Sequence, residues 1–264
     1  MSAHDLVTYR YDGSWEGLLC CVFESYTAHE LPEAILGPEA SETSLFGSKS
    51  IVTDARHAAR VEASLPGKLG HEAAELVRLA FFTCLPEKEL WMLRFLRLGY
   101  QYGPQLLRFA GNETVYVLQK AVQHLLSEAH LLKGFIRFSV QNNVLVTTIG
   151  PKNCVLPFLA GHFKARFPEE HWLIYDAVHH MALAYRPYET AILPLESFSA
   201  APPDAEEAKF RALWCQFYDT IEIRPRHNER CRMTLMPKRY WKYMTEFTRE
   251  FTVAEENPQL TSKN

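Results

Sequence analysis

The 264 residues contain no Cys-x-x-Cys pair, no Gly-rich phosphate loop ending in Lys, no Gly-x-Ser-x-Gly elbow and no His-Glu-x-x-His. These gaps exclude the common frameworks for nucleotide triphosphates, acyl transfer and zinc hydrolysis. The deaminase pairing of His-x-Glu with Pro-Cys-x-x-Cys is missing too, as are the three-cysteine motif of radical-SAM enzymes and the Gly-x-Asp-Pro-Tyr loop of uracil-DNA glycosylases. Six cysteines at 20, 21, 84, 154, 215 and 231 follow no regular spacing. Neither an iron–sulfur nor a zinc framework is visible, so no metal and no cofactor is expected. No apolar run approaches about 18 residues, and MSAHDLVTYRYDG has no basic stretch leading into an apolar one, so the chain reads as cytoplasmic with no membrane partner. An excess of positive charge is also lacking. With 28 Lys and Arg against 31 Asp and Glu, the net charge is −3, and any affinity for nucleic acid must come from local asymmetry.

That asymmetry is present. Residues 1–50 carry eight Asp and Glu against two Lys and Arg, whereas residues 221–243, IEIRPRHNERCRMTLMPKRYWKY, carry seven Lys and Arg against two Glu. In the second segment Arg224, Arg226, Arg230, Arg232, Lys238, Arg239 and Lys242 are interleaved with Tyr240, Trp241 and Tyr243. Cations that neutralise phosphates beside rings that stack on bases make a nucleic-acid surface. The alternative reading is a solvated basic face of a packed helix.

An apolar content of 47% supports a substantial core, in one large domain or two lobes. A short strand at 6–11 meets the turn Asp12-Gly13-Ser14. Trp15, Leu18, Leu19, Val22, Phe23 and Tyr26 then recur at helical spacing, with Asp12 or Ser14 as the cap. Adjacent Cys20 and Cys21 fall in that pattern as packed thiols. Residues 31–50, rich in Pro, Gly, Ser and Glu, read as an irregular connection before a strand at 50–55. Helices are expected at 71–84, 87–100 and 112–132, the last ending at Gly134. From Phe135 the pattern changes to alternation, with a hairpin turning at Gln141-Asn142-Asn143 and resuming at 144–149. A helix at 155–167 precedes strands at 172–176, 181–185 and 191–195, and a further helix runs from 205 to about 218. The class is α+β: a helical N-terminal half with a short strand–helix unit, packed on an antiparallel sheet in the C-terminal half. The chain is one family unit or two lobes, 1–133 mostly helical and 134–264 a sheet with C-terminal helices.

Several polar residues fall where the helical half meets the sheet: Glu128, His130, Arg137, His162, Arg166 and Asp176. On an unbroken helix Glu128 and His130 differ by about 200° and do not share a face. Arg137, read here on a strand, has a phosphate or Glu128 as its alternative partners. Arg166 suits the carbonyls of a helix end, Asp176 a turn, and His179-His180 an exposed hairpin tip.

Taken together, Tyr11-Asp12-Gly13-Ser14-x-Glu16-Gly17-Leu18-Leu19, Glu128-x-His130 with Gly134-Phe135-x-Arg137-Phe138, His162-Phe163-x-x-Arg166-Phe167, Trp172-x-Ile174-x-Asp176, and Arg226-x-Asn228 with Met236-Pro237-x-Arg239-Tyr240-Trp241 resemble an uncharacterised bacterial family labelled as DNA metabolism proteins. The resemblance spans about residues 5–245 and is loose over 27–110. It implies partnership with a DNA modification or repair radical-SAM protein and, in some relatives, fusion to a uracil-DNA-glycosylase-like domain. The expectation is a DNA-binding accessory or lesion-recognition protein. Its phosphate and base contacts would fall on Arg137, Arg166, Arg224, Arg226, Asn228, Arg230, Arg232, Lys238, Arg239, Tyr240 and Trp241. Two alternatives stay open. One is an enzyme acting on damaged nucleotides with Glu128 or Asp176 as base and His130 or His162 as acid. The other is a protein-binding scaffold docking its partner through Trp214, Phe217 and Tyr218.

Overall fold

The computed structural model describes residues 7–38, 40, 47–109 and 111–247. The chain divides into two compact units, Met1–Leu125 and Leu126–Asn264. In the first, β1 (Thr8–Arg10) leads through Gly13, whose φ is +81°, into α1 (Trp15–Thr27). Leu6, placed in this strand by pattern, lies outside the described residues. Ser14 caps the helix, its hydroxyl accepting from the Gly17 N–H at 2.9 Å. Asp12 in turn accepts from the Ser14 hydroxyl at 2.6 Å and from Thr53 at 2.7 Å, and these bonds, Ser14's first, hold its carboxyl below the usual range. Leu18, Leu19 and Val22 face the core, and burial pushes the Cys21 thiol up to about 12, leaving it an inert packing group.

The connection expected over 31–50 holds two strands, β2 (Ala34–Leu36) and β3 (Ser48–Ser50), which flank β1 in a parallel sheet of order β2-β1-β3. The strand expected at 50–55 therefore ends at Ser50. In its place Asp54 caps a helix absent from the sequence reading, α2 (Ala55–Leu69), accepting from the Arg56 and His57 N–H groups at 2.7 and 3.1 Å. Pro66 lies inside this helix, and Ala58, Val61, Leu65 and Leu69 make a buried stripe that carries past it. Next come α3 (His71–Ala80), α4 (Lys88–Tyr102) and α5 (Glu113–Phe135), the last running from the first unit into the second.

In the second unit α5 continues past Gly134 to Phe135, and 136–138 is irregular, so Arg137 lies on a connecting segment rather than a strand. The hairpin follows as β4 (Ser139–Gln141) and β5 (Val144–Ile149), with Asn142 and Asn143 both at positive φ, 51° and 63°. After β5, α6 (Leu156–Arg166) crosses to β6 (His171–Asp176), then β7 (Met181–Arg186) and β8 (Glu189–Pro194) complete the sheet β4-β5-β6-β7-β8. The class is α+β. The sheet is mixed and not wholly antiparallel, because β5 and β6 pair parallel from Val144↔His171 to Ile149↔Asp176. A crossover helix carries the chain back to the starting edge, which a hairpin cannot do. Asp204 caps α7 (Ala205–Ile221), accepting from the Glu207 N–H at 2.8 Å. Residues 221–243 form a 3₁₀ turn (Arg224–Arg226), α8 (Glu229–Leu235) and a second 3₁₀ turn (Lys238–Tyr243), followed by a third at Thr245–Phe247. Among the described residues no helix is long and apolar enough to cross a membrane.

Candidate nucleic-acid interface

The second unit holds a cleft of about 730 Å³ walled by the end of α5, by α6 and by α7. Lys133 enters from the last turn of α5, and His162 and Arg166 stand one turn apart on α6. From α7 come Glu207, Phe210, Arg211 and Trp214, whose spacing of 3, 4 and 7 residues puts them on one helix face. Phe138 closes the side nearest the sheet, meeting Phe163 and Phe167 edge-to-face at 5.4 and 5.6 Å. Four cations thus line the cleft, Lys133, Arg137, Arg166 and Arg211, against one carboxylate, Glu207.

The four are not equally free. Arg211 donates to Glu207 at 2.8 Å and to the Ser139 hydroxyl at 2.5 Å. Arg137 donates to the buried Glu246 at 2.8 Å and to the Gly134 carbonyl at 2.7 Å, and its guanidinium lies 5.0 Å from the Trp214 ring centre. Lys133 and Arg166 make no ion pair among the described residues; Arg166 lies over the Phe167 ring at 5.5 Å. Their field is legible at His162, whose proton affinity is lowered by partial burial and then by Lys133 and Arg166. Arg137, Arg166 and His162 were visible in the sequence. Lys133, Phe210 and Arg211 were not, although the 207/210/211/214 spacing on a predicted helix was a signal that pointed to a shared face.

The basic segment 221–243 is divided between surface and core. Arg226 and Arg230 are exposed, and the Arg224 side chain lies outside the described residues. Lys238 is exposed with Glu229 at 3.8 Å. Asn228 caps α8, accepting from the Cys231 N–H at 3.0 Å, and Arg232 lies over Trp241 at 4.7 Å. Tyr240 and Trp241 are 1% and 2% exposed, so neither ring has a face open to a base. Trp241 stacks on Phe247 at 4.5 Å and donates its indole N–H to the Met236 carbonyl at 2.8 Å.

Tyr240 and Arg239 serve Glu128 instead. That buried carboxylate accepts from the Tyr240 hydroxyl at 2.6 Å, from Arg239 at 3.0 Å, from the Lys152 and Asn153 N–H groups at 3.0 and 2.8 Å, and from the Asn153 amide at 2.6 Å. Burial alone would raise its pKa, but the donors, Tyr240 first, hold it below the usual value. A carboxylate saturated in this way is structural. His130, two residues along α5, is exposed, so the two do not share a face.

Asp176 likewise has its own partners. Oδ1 accepts from the Val178 and His179 N–H groups at 2.9 and 3.1 Å, and Oδ2 lies 2.7 Å from His179 Nδ1. His179 is therefore half-buried and engaged, not the exposed tip expected. Its bonds to Asp176 and then to Cys154 push its pKa up to about 10, so at neutral pH it is a cation holding the β6–β7 turn and not a general base. Among the described residues no hydrogen bond or ion pair joins Glu128 or Asp176 to His130 or His162; the carboxylates' partners are those just given. Among the described residues no group of three His, Cys, Asp or Glu could hold a metal ion.

A family model described as Domain of unknown function (DUF4130) matches residues 86–246. The chain belongs to that family. The DUF4130 match starts just before α4 and takes in every wall of the cleft, the Glu128 cluster and the whole sheet of the second unit, while α1 to α3 precede it. Comparison with curated proteins finds no match, and comparison with solved structures finds none either.

Proposed function

We propose that this DUF4130 chain is a DNA-binding accessory protein of DNA metabolism, and that the strand lies in the cleft between α5, α6 and α7. The observation that carries this reading is the cleft's composition, four cations against one carboxylate with aromatic rings between them. Phosphates need cations that are not already neutralised, and Lys133 and Arg166 meet that condition. Rings beside them supply sequence-tolerant affinity for bases. Two of the segments that carry the family resemblance, Gly134-Phe135-x-Arg137-Phe138 and His162-Phe163-x-x-Arg166-Phe167, converge on the same cleft. Arg226 and Arg230, exposed in segment 221–243, offer outlying phosphate contacts. The chemistry is assigned to the DNA modification or repair radical-SAM partner that the resemblance implies, with this chain presenting the DNA.

Salt dependence tests the reading. If four phosphates are engaged, log K for an oligonucleotide falls with log salt at a slope of about −3, and removing two contacts by Lys133→Ala with Arg166→Ala reduces its magnitude by about 1.5. An unchanged slope in that double variant, or no binding by the purified chain at low salt, would overturn it. Co-purification with the radical-SAM protein that survives nuclease treatment, with no DNA binding by either, favours the scaffold reading.

A further inference from the structure

We infer that the cleft takes an unpaired DNA strand, seating one internucleotide phosphate among Lys133, His162 and Arg166 and stacking successive bases on Phe210, Trp214 and Phe217 of α7. This rests on the nucleic-acid reading above and adds the form of the ligand. The rings supply the first argument. Phe210, Trp214 and Phe217 are 60%, 37% and 52% exposed. Phe210 and Trp214 are one turn apart, a rise of about 6 Å, and the Trp214 and Phe217 ring centres are 5.7 Å apart. The three exposed rings form a ladder along one face of α7, starting inside the basic cleft with Phe210 and Trp214. Bases in a duplex stack on one another and present only edges and backbone, so such a ladder serves a strand whose bases are free. One face of Trp214 is taken by Arg137, and its N–H is held by Glu246 at 3.0 Å, which fixes the ring in place.

His162 faces Lys133 from α5 and Arg166 from its own helix. Arg137 from the connecting segment and Glu207 and Arg211 from α7 line the same cleft, Glu207 being held by Arg211. Partial burial, and then the two unpaired cations, disfavour a proton on His162 in the free protein. A phosphate oxygen placed among the three reverses that field, so the imidazole takes up a proton as the strand binds, and affinity rises as pH falls.

The experiment compares the full chain on an oligothymidylate of about twelve nucleotides lacking terminal phosphates with a blunt duplex of the same length, at fixed salt. Expected are a preference for the single strand of at least about tenfold and a loss of about tenfold or more on that strand alone for Phe210→Ala with Phe217→Ala. Affinity should also gain about three- to tenfold between about pH 8 and pH 5.5, a gain absent in His162→Gln. All three substitutions fall at exposed positions, and circular dichroism of each variant is expected to match the parent. Equal or tighter duplex binding, ring variants that bind as the parent does, or a pH gain that survives in His162→Gln each overturns the inference while leaving the nucleic-acid reading standing. Binding of neither oligonucleotide at low salt removes both.

Discussion

Single residues show how a functional-looking motif can be structural. Arg239, Tyr240 and Trp241 sit in the most basic stretch of the chain, and one-dimensional reading puts them on DNA. Folding places Tyr240 and Arg239 on Glu128 because a buried carboxylate must find donors, and a phenol and a guanidinium are strong ones. The sequence could not reveal this, since partner and carboxylate are 111 and 112 residues apart. Arg239→Ala is expected to cost about 1–2 kcal/mol, less than a fully buried pair because four other donors to Glu128 remain and the arginine is partly exposed. Trp241→Ala, which empties a core site, is expected to cost about 3–5 kcal/mol. Denaturant titration of both variants checks the order. His179 gives a pH signature of opposite sign to a carboxylate. Its folded pKa of about 10 lies above the unfolded value, so its contribution is complete below about pH 6.5 and is lost as pH rises toward 10. Stability of the parent should therefore fall between about pH 7 and 10 more steeply than that of His179→Gln.

At the scale of elements, what was legible is what carries its own local signal. The Ser14 cap, the long α5 stripe and the Asn142-Asn143 turn announce themselves within a few residues. Both turn asparagines are left-handed, as a two-residue hairpin demands. Asn143→Val is expected to destabilise by about 1–2 kcal/mol, while Asn143→Gly should not destabilise, and thermal melts of the pair separate backbone strain from loss of a side-chain contact. What stayed hidden depends on distant pairing. The three-residue strands β2 and β3 are defined by their ladders with β1 and have no periodicity of their own. The parallel union of β5 and β6 follows from where α6 returns the chain. α2 was missed although its Asp54 cap and apolar stripe were both present in the sequence. The cleft was half visible for the same reason, with the α6 pair recognisable by motif and the α7 face requiring knowledge of which side of that helix the sheet would leave open.

For the whole molecule, a net charge of −3 means that attraction to DNA must be local, and this can be tested at constant total charge. Lys133→Glu with Arg166→Glu and Arg226→Glu with Arg230→Glu change the net charge equally. The cleft pair should weaken oligonucleotide binding by about a hundredfold or more and the outlying pair by about tenfold, as read by fluorescence anisotropy at one salt concentration. A matching loss in both would mean that the general field, not the cleft, does the binding. The Glu128 cluster has a last consequence, in time. During synthesis the carboxylate and the β5–α6 loop leave the ribosome long before Arg239 and Tyr240. For that interval Glu128 has only the three donors of Lys152 and Asn153 and lacks the phenol and the guanidinium. The cluster is therefore complete only once the 3₁₀ turn at Lys238–Tyr243 has been made, and the two donors it brings are the last of the cluster's members to be synthesised.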